Sequence, residues 1–333
     1  MQAVFMTRPG GPEVLEMRQA DKPAITGDHQ ILVRIRAAGV NPIDTKLRGR
    51  GTYFPEHMPA ILGCDGAGVV EAVGNAVDRF RPGDEVYYCY GGLGQPGCGN
   101  YAEHAVIDAA YAAHKPASLD FTAAAAAPLV LITAWESLFD RAGLQSGQTV
   151  LIHAGAGGVG HVAIQLARIA GAKIATTVSS GEKATFVKKL GAEKIIRYRE
   201  ENFTAAVLEW TGGKGVDAAL DTVGGDTFNR TIPAVRHYGH LVTLLQLPDD
   251  ADWKMARIRN LHISQELMLT PMIERLPDGA RHHGSILERC ARFFDEKKLS
   301  VSVADVLPLA GAAEAHRRIE AGHMTGKLVL AVS

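Results

Sequence analysis

The chain has 333 residues, enough for two domains of ordinary size. Hydrophobic residues make up 47% of it and charged residues 21%, the balance of a packed globular protein, which excludes a disordered chain, a coiled coil and a collagen. Thirty-five Lys and Arg against 36 Asp and Glu leave a formal charge of −1, so no broad field draws it to nucleic acid or to an anionic membrane.

Residues 1–115 predict short strands. Ile31, Val33, Ile35 and Ala37 alternate with Leu32, Arg34 and Arg36, runs at 69–73, 85–89 and 101–107 follow, and Gly or Pro falls in every gap. Such spacing predicts an antiparallel, barrel-like module. From Phe121 a run of alanines predicts a helix reaching about Arg141, capped by Asp120 or Thr122. A β-α-β pattern comes next: strand 149–153, helix 159–170, strand 173–178, helix 183–190, then strands 194–198, 218–223, 240–245 and 261–269. That alternation predicts a parallel sheet covered on both faces. Ser285 and Glu288 fit a capping box that would open a helix, His282 and His283 read as a solvated loop pair, and helix 312–321 and strand 328–332 close the chain. These last elements are expected to complete the first module. The predicted fold is therefore α/β, with a discontinuous domain of residues 1–122 and 270–333 and a doubly wound parallel-sheet domain of residues 123–269.

Cys64, Cys89, Cys98 and Cys290 form no C-x-x-C pair, and a chain this long needs no disulfide framework, so reduced thiols in the cytoplasm are expected. The longest apolar stretch, residues 123–135, contains Pro128 and is shorter than a membrane span. No membrane association is expected.

Between the predicted strand and helix stands Gly155-Ala156-Gly157-Gly158-Val159-Gly160, a G-x-G-x-x-G run in the context that gives it meaning. Glycine allows the tight turn and the close approach of backbone N–H groups to a pyrophosphate, and the helix N-terminus adds partial positive charge. An acid about 20 residues further on would bond the ribose 2′-hydroxyl and select NAD. Ser179 and Ser180 stand there instead, with Lys183 near enough to pair with a 2′-phosphate, which favours NADPH; the alternative is that Glu182 takes the ribose and Lys183 is solvated.

Residues 37–44 (Ala-Ala-Gly-Val-Asn-Pro-Ile-Asp), 63–70 (Gly-Cys-Asp-Gly-Ala-Gly-Val-Val), 81–86 (Arg-Pro-Gly-Asp-Glu-Val), the glycine run and 196–203 (Ile-Arg-Tyr-Arg-Glu-Glu-Asn-Phe) carry a resemblance over nearly the whole chain. The sequence resembles the zinc-independent medium-chain dehydrogenases/reductases, in their quinone oxidoreductase, zeta-crystallin-like branch. That resemblance implies a split GroES-like catalytic domain, a Rossmann cofactor domain, NADPH and a homodimer. It places Asn41 and Asp44 beside the nicotinamide, as positioning and polarising groups, and Tyr53 in the substrate pocket as proton donor or orienting hydroxyl. Thr133 matches a residue near the carboxamide and Tyr198 one near the adenosine phosphate. Gly224 and Leu245 end two strands at the sheet's carboxyl edge, and Lys327 after Gly326 would close over the cofactor. The chain departs from the branch at Lys46, where another tyrosine is frequent.

Zinc-dependent relatives carry a cysteine ahead of the position of Asp44 and Gly-His-Glu in place of Gly63-Cys64-Asp65, so no metal is expected here. Without zinc, a carbonyl is polarised by hydrogen bonds, which favours quinones and enones over alcohols. Reduction of a 2-enoyl thioester, or a structural or RNA-contacting protein that retains NADPH, are the alternatives. Strand 261–269, last of the parallel sheet, would leave an apolar edge open, and pairing with its copy across a two-fold axis is expected to cover it.

Overall fold

The structure is a computed structural model that describes residues 1–332. It divides into two compact units, the first made of residues 1–129, 269–297 and 301 onward, the second of residues 130–268 and 298–300. In chain order the first unit contributes strands β1 (Gln2–Met6), β2 (Leu15–Gln19) and β3 (Gln30–Val40), helix α1 (Pro42–Arg50), strands β4 (Ala60–Ile61), β5 (Asp65–Val73), β6 (Glu85–Cys89), β7 (His104–Asp108) and β8 (Ala112–His114), and helix α2 (Phe121–Ala125). The chain passes into the second unit within helix α3 (Pro128–Trp135), and that unit contains β9 (Thr149–Ile152), α4 (Gly158–Ile169), β10 (Lys173–Val178), α5 (Gly181–Leu190), β11 (Lys194–Arg197), β12 (Val216–Asp221), β13 (Val235–Thr243) and β14 (His262–Gln265). The chain returns to the first unit through helix Pro277–Asp295, β15 (Val303–Pro308), helix Ala312–Ala321 and β16 (Lys327–Ala331).

The second unit's sheet is parallel throughout, in the order β11-β10-β9-β12-β13-β14. Numbered within the unit this is 3-2-1-4-5-6, the doubly wound order, whose crevice lies at the carboxyl ends of β9 and β12. Leu151, Ala175, Ala219 and Leu241 from four of its strands pack with Phe203, Phe228 and Ile232, each contributing roughly 1.5–3 kcal/mol for a large apolar side chain. The first unit's larger sheet runs β15-β16-β3-β5-β6-β8, with β7 also on β3, and is antiparallel except between β15 and β16. Among the described residues no helix is long and apolar enough to cross a membrane.

Several elements differ from the sequence expectation. The single helix over 121–141 is three pieces: α2, capped by the Asp120 carboxylate on the Ala123 N–H at 2.7 Å, then α3, then a π-helical turn Glu136–Arg141. Pro128 brings no N–H to continue α2, and so the break falls before it. Residues 123–129 accordingly belong to the first unit, where Gly39 lets the Ala125 carbonyl approach to 2.3 Å of where a Cβ would stand. Residues 298–300 join the second unit, tied by Gln165, whose side chain meets both the Ser300 N–H and carbonyl at 2.9 Å. Ser285 does not cap a helix; it lies inside Pro277–Asp295 and donates to the His282 carbonyl at 2.8 Å. The helix begins earlier because Pro277 suits a first turn, and its Gly284, which weakens the helical signal, is needed against the Ala110 carbonyl. His283 is buried in that helix and His282 is exposed, so the two are not a loop pair. The last parallel strand is β14, four residues instead of the expected 261–269, because Met268 and Leu269 turn inward and Pro271 opens another helix.

Candidate functional site

Buried Val150, Leu151 and Ile152 carry β9 into the glycine turn, and α4 starts at Gly158. A Cβ at Gly155 would stand 2.1 Å from the Thr176 hydroxyl, and one at Gly160 would stand 2.4 Å from the Ala154 carbonyl. Only glycine fits either place. Ala154 itself turns through φ +49°, and its carbonyl accepts the Gly157 N–H at 2.8 Å. No side chain caps α4, so the first-turn amides at Gly158, Val159 and Gly160 keep their donors for an external acceptor, an arrangement that suits a phosphate.

His153, buried just before the turn, meets the Thr177 hydroxyl with Nδ1 at 3.1 Å and the Thr231 hydroxyl with Nε2 at 2.9 Å. Burial pushes its pKa down and keeps the ring neutral. Its carbonyl accepts from Thr222 at 3.0 Å, so one side chain and its backbone join the ends of β9, β10 and β12. At β12's end, Asp221, wholly buried, accepts the N–H groups of Val223 and Gly224 at 2.9 Å and the Thr243 hydroxyl at 3.1 Å. That carboxylate fixes the crevice wall and leaves Val223 about half exposed. Gly224 has φ +78°, and a Cβ there would crowd Leu245 at 3.0 Å, so these two predicted residues lie together. Thr133, also predicted, is buried in α3. His153 and Asp221 were missed by sequence reasoning; the signal was a polar residue at the end of an otherwise apolar strand.

Beside the glycine turn, parallel β10 and β11 pair Val178 with Arg197, so Ser179 and Tyr198 follow at the ends of adjacent strands, with Lys183 in the first turn of α5. The Ser180 hydroxyl caps α5, accepting the Lys183 N–H at 3.3 Å, and is therefore less free than expected. Tyr198 is about half exposed.

In the first unit the register sets Gly39 opposite Asp65 and Val40 opposite Leu328, so β3, β5 and β16 converge on one buried polar cluster. Asn41 donates through Nδ2 to Asp65 Oδ2 at 2.9 Å and receives the Lys327 ammonium on Oδ1. Lys327 also donates to the Val40 carbonyl at 3.1 Å and faces Asp65 at 3.7 Å, while Asp65 Oδ1 accepts the Leu129 N–H at 2.8 Å. Asp44 Oδ2 accepts the Asn41 N–H at 2.8 Å, which starts α1, and the Tyr101 hydroxyl at 3.0 Å. Tyr101 is in turn 3.2 Å from His316, whose pKa burial pushes down to about 3. Burial outweighs the hydrogen bonds at Asp44 and raises its pKa to about 7; it raises Asp65 and lowers Lys327 as well.

The cluster places three predicted residues in the interior. The Lys327 ammonium is buried beside Asp65, which supplies its counter-charge. Asn41 and Asp44, at 1% and 0% exposure, fix the start of α1, and Asp44 Oδ1 is left without a hydrogen-bond partner. Tyr53 is outside the cluster, 42% exposed, just past α1, with its N–H on the Leu93 carbonyl at 3.0 Å.

The cluster is a poor ligand set for zinc: Asn41 brings an amide, the Lys327 ammonium lies against Asn41 and 3.7 Å from Asp65, and Cys64 and Asp65 fall short of the three ligands a catalytic zinc takes. All four cysteines are buried and free.

A family model described as the alcohol dehydrogenase GroES-like domain matches residues 27–117, and one described as zinc-binding dehydrogenase matches residues 190–330. A quinone oxidoreductase of Pseudomonas aeruginosa is 36% identical over 324 residues, 96% of each chain. An alcohol dehydrogenase superfamily protein from Novosphingobium aromaticivorans superposes with TM-score 0.91 at 34% identity over 100% of both chains. The Escherichia coli quinone oxidoreductase complexed with NADPH does so with TM-score 0.86 at 28% identity, again over 100% of both.

Proposed function

The chain belongs to the medium-chain dehydrogenase/reductase family, in its quinone oxidoreductase branch, and from that membership we propose an NADPH-dependent, zinc-independent reductase of quinones or α,β-unsaturated carbonyls. The observation that carries the reading is the uncapped glycine turn ahead of α4, beside a strand end that bears Ser179 and Ser180 where an acid would select NAD, with Lys183 next to Glu182 in the first turn of α5.

In this reading Gly155, Gly157, Gly158, Val159 and Gly160 hold the pyrophosphate through backbone N–H groups. Lys183, with Ser179 and Tyr198, takes the 2′-phosphate. Gly224 and Leu245, fixed by Asp221 and Thr243, and Thr133 from α3 border the nicotinamide end. When bound, the reduced nicotinamide supplies a hydride. A quinone that takes up that hydride and one proton leaves as the hydroquinone, so electrons and atoms balance. Tyr53 aims its hydroxyl at the acceptor oxygen as negative charge grows there, an interaction stronger in the transition state than before it. Asn41 and Asp44 act at one remove, as positioning residues that anchor α1 and through it the segment of Tyr53.

Lys327 is the cation held by Asn41 and Asp65 in the first unit's polar cluster, which is why no zinc is proposed. Dimerisation through β14 belongs to the same reading: it is a sheet edge, and a groove of about 710 Å³ lined by Tyr238, Trp253, Leu261 and Ile263 runs beside it. The buried free thiols suit a cytoplasmic location.

The test is NADPH oxidation against quinones, enals, enones and 2-enoyl thioesters. Consumption with quinones or free enones supports the reading. Turnover of thioesters alone would transfer it to enoyl thioester reduction, and binding without turnover of any acceptor would leave an NADPH-binding protein.

A further inference from the structure

α1 presents two faces of opposite character. Asp44, Thr45, Leu47 and Arg48 are buried, and the outward stripe consists of Pro42, Lys46, Gly49 and Arg50. A Cβ added at Gly49 would meet nothing within 4 Å, so the stripe borders open space. The inner cation, Arg48, is paired with Glu320 and with the Gly10 carbonyl. The outer two have no such partner: among the described residues neither Lys46 nor Arg50 enters an ion pair, and the helix's one acid, Asp44, is spent on the buried side.

Two like charges one turn apart oppose each other. Arg50 is compensated by its place at the helix C-terminus, where a cation is favoured. Lys46, in the middle, gains nothing of the kind; partial burial, and then the charge of Arg50, weaken its hold on its proton. An external anion set between the two would relieve both effects. Three residues past Arg50 stands exposed Tyr53, so one short segment carries the hydroxyl assigned to the acceptor oxygen and two exposed cations outside any ion pair.

We propose that Lys46 and Arg50 dock a carboxylate or phosphate group carried by the acceptor, which makes the substrate an anionic quinone or enone. The proposal rests on the reductase reading above and narrows its substrate class.

Three quinones that share one ring test it: one with a carboxyalkyl chain, one with the matching alkyl phosphate, and the neutral methyl ester. The two anions should show KM values about 10-fold below the ester's, with similar kcat, and the advantage should shrink as salt rises. The double variant Lys46→Gln, Arg50→Gln should close the gap between anions and ester, while Lys46→Arg should keep it. The carboxylate and phosphate arms tell which anion fits better. Calorimetric titration of the same compounds into NADPH-saturated protein measures the charge preference without turnover. Equal affinities for ester and anions, or binding of none of them, overturn the proposal. Preferential binding of the anions with no oxidation of NADPH supports the docking surface and overturns the reductase reading instead.

Discussion

In the second unit, the donors at the β9–α4 turn are backbone N–H groups of neighbouring residues, left open by a helix that no side chain caps. In the first unit, the polar cluster draws Asn41, Asp65, Tyr101, His316 and Lys327 from segments up to 286 residues apart, and they bond to one another. The open site offers its hydrogen bonds to a ligand, whereas the closed one uses them to hold strands together. An acidic residue found in a family motif, such as Asp65, ties neighbouring strands and a loop together here.

This contrast is easiest to break at Gly155. Gly155→Ala forces a Cβ to 2.1 Å from the Thr176 hydroxyl, so NADPH affinity should fall on the order of 100-fold or more, read by titration of cofactor fluorescence. Gly157→Ala, whose nearest contact would be 3.1 Å, should cost far less. Equal losses would mean that the turn is not shaped by those contacts.

The closed cluster should respond to pH instead. The Asp44 pKa stands at about 7 in the folded protein against 3.8 for the free side chain, so the native state holds a proton that the unfolded chain releases between those values. Stability of the first unit therefore falls as pH rises from about 4 to about 7, by a few kcal/mol at most. Asp44→Asn mimics the protonated form and should flatten that fall, read as urea midpoints at about pH 5 and about pH 8. An unchanged gap in the variant would remove Asp44 as its source.

Tyr53 belongs to the first unit but is exposed, unlike the buried cluster there. Tyr53→Phe should lower kcat about 100-fold with NADPH affinity preserved. Normal turnover would make Tyr53 a wall of the pocket. The smallest effect belongs to Lys183→Ala, which should reduce the preference for NADPH over NADH about 10-fold and leave NADH binding nearly unchanged. Equal wild-type affinities for the two cofactors would contradict the reading of the β10 end.

Legibility in the sequence follows the same division. The glycine turn and the parallel strands were readable because their reasons are local: glycine where no Cβ fits, and apolar runs alternating with amphipathic helices. The buried network of Asn41, Asp44 and Lys327 was not, since a lysine after a turn glycine gives no sign that Asp65 waits on a neighbouring strand. Pro128 was visible, but its effect on the 121–141 helix depended on α2 having Gly39 to pack against. Helix Pro277–Asp295 hid its start behind Gly279 and Gly284, whose use is set by tertiary neighbours.

The central claim is that Lys327 is the cation held by Asn41 and Asp65 in the first unit's polar cluster and that reduction proceeds without a metal. The most direct measurement is elemental analysis of the purified protein, combined with NADPH oxidation by a quinone before and after chelator treatment. The account predicts no stoichiometric zinc and the same rate in both assays, with one NADPH consumed per quinone reduced. About one zinc per chain, with activity lost on chelation and restored by zinc, would contradict it.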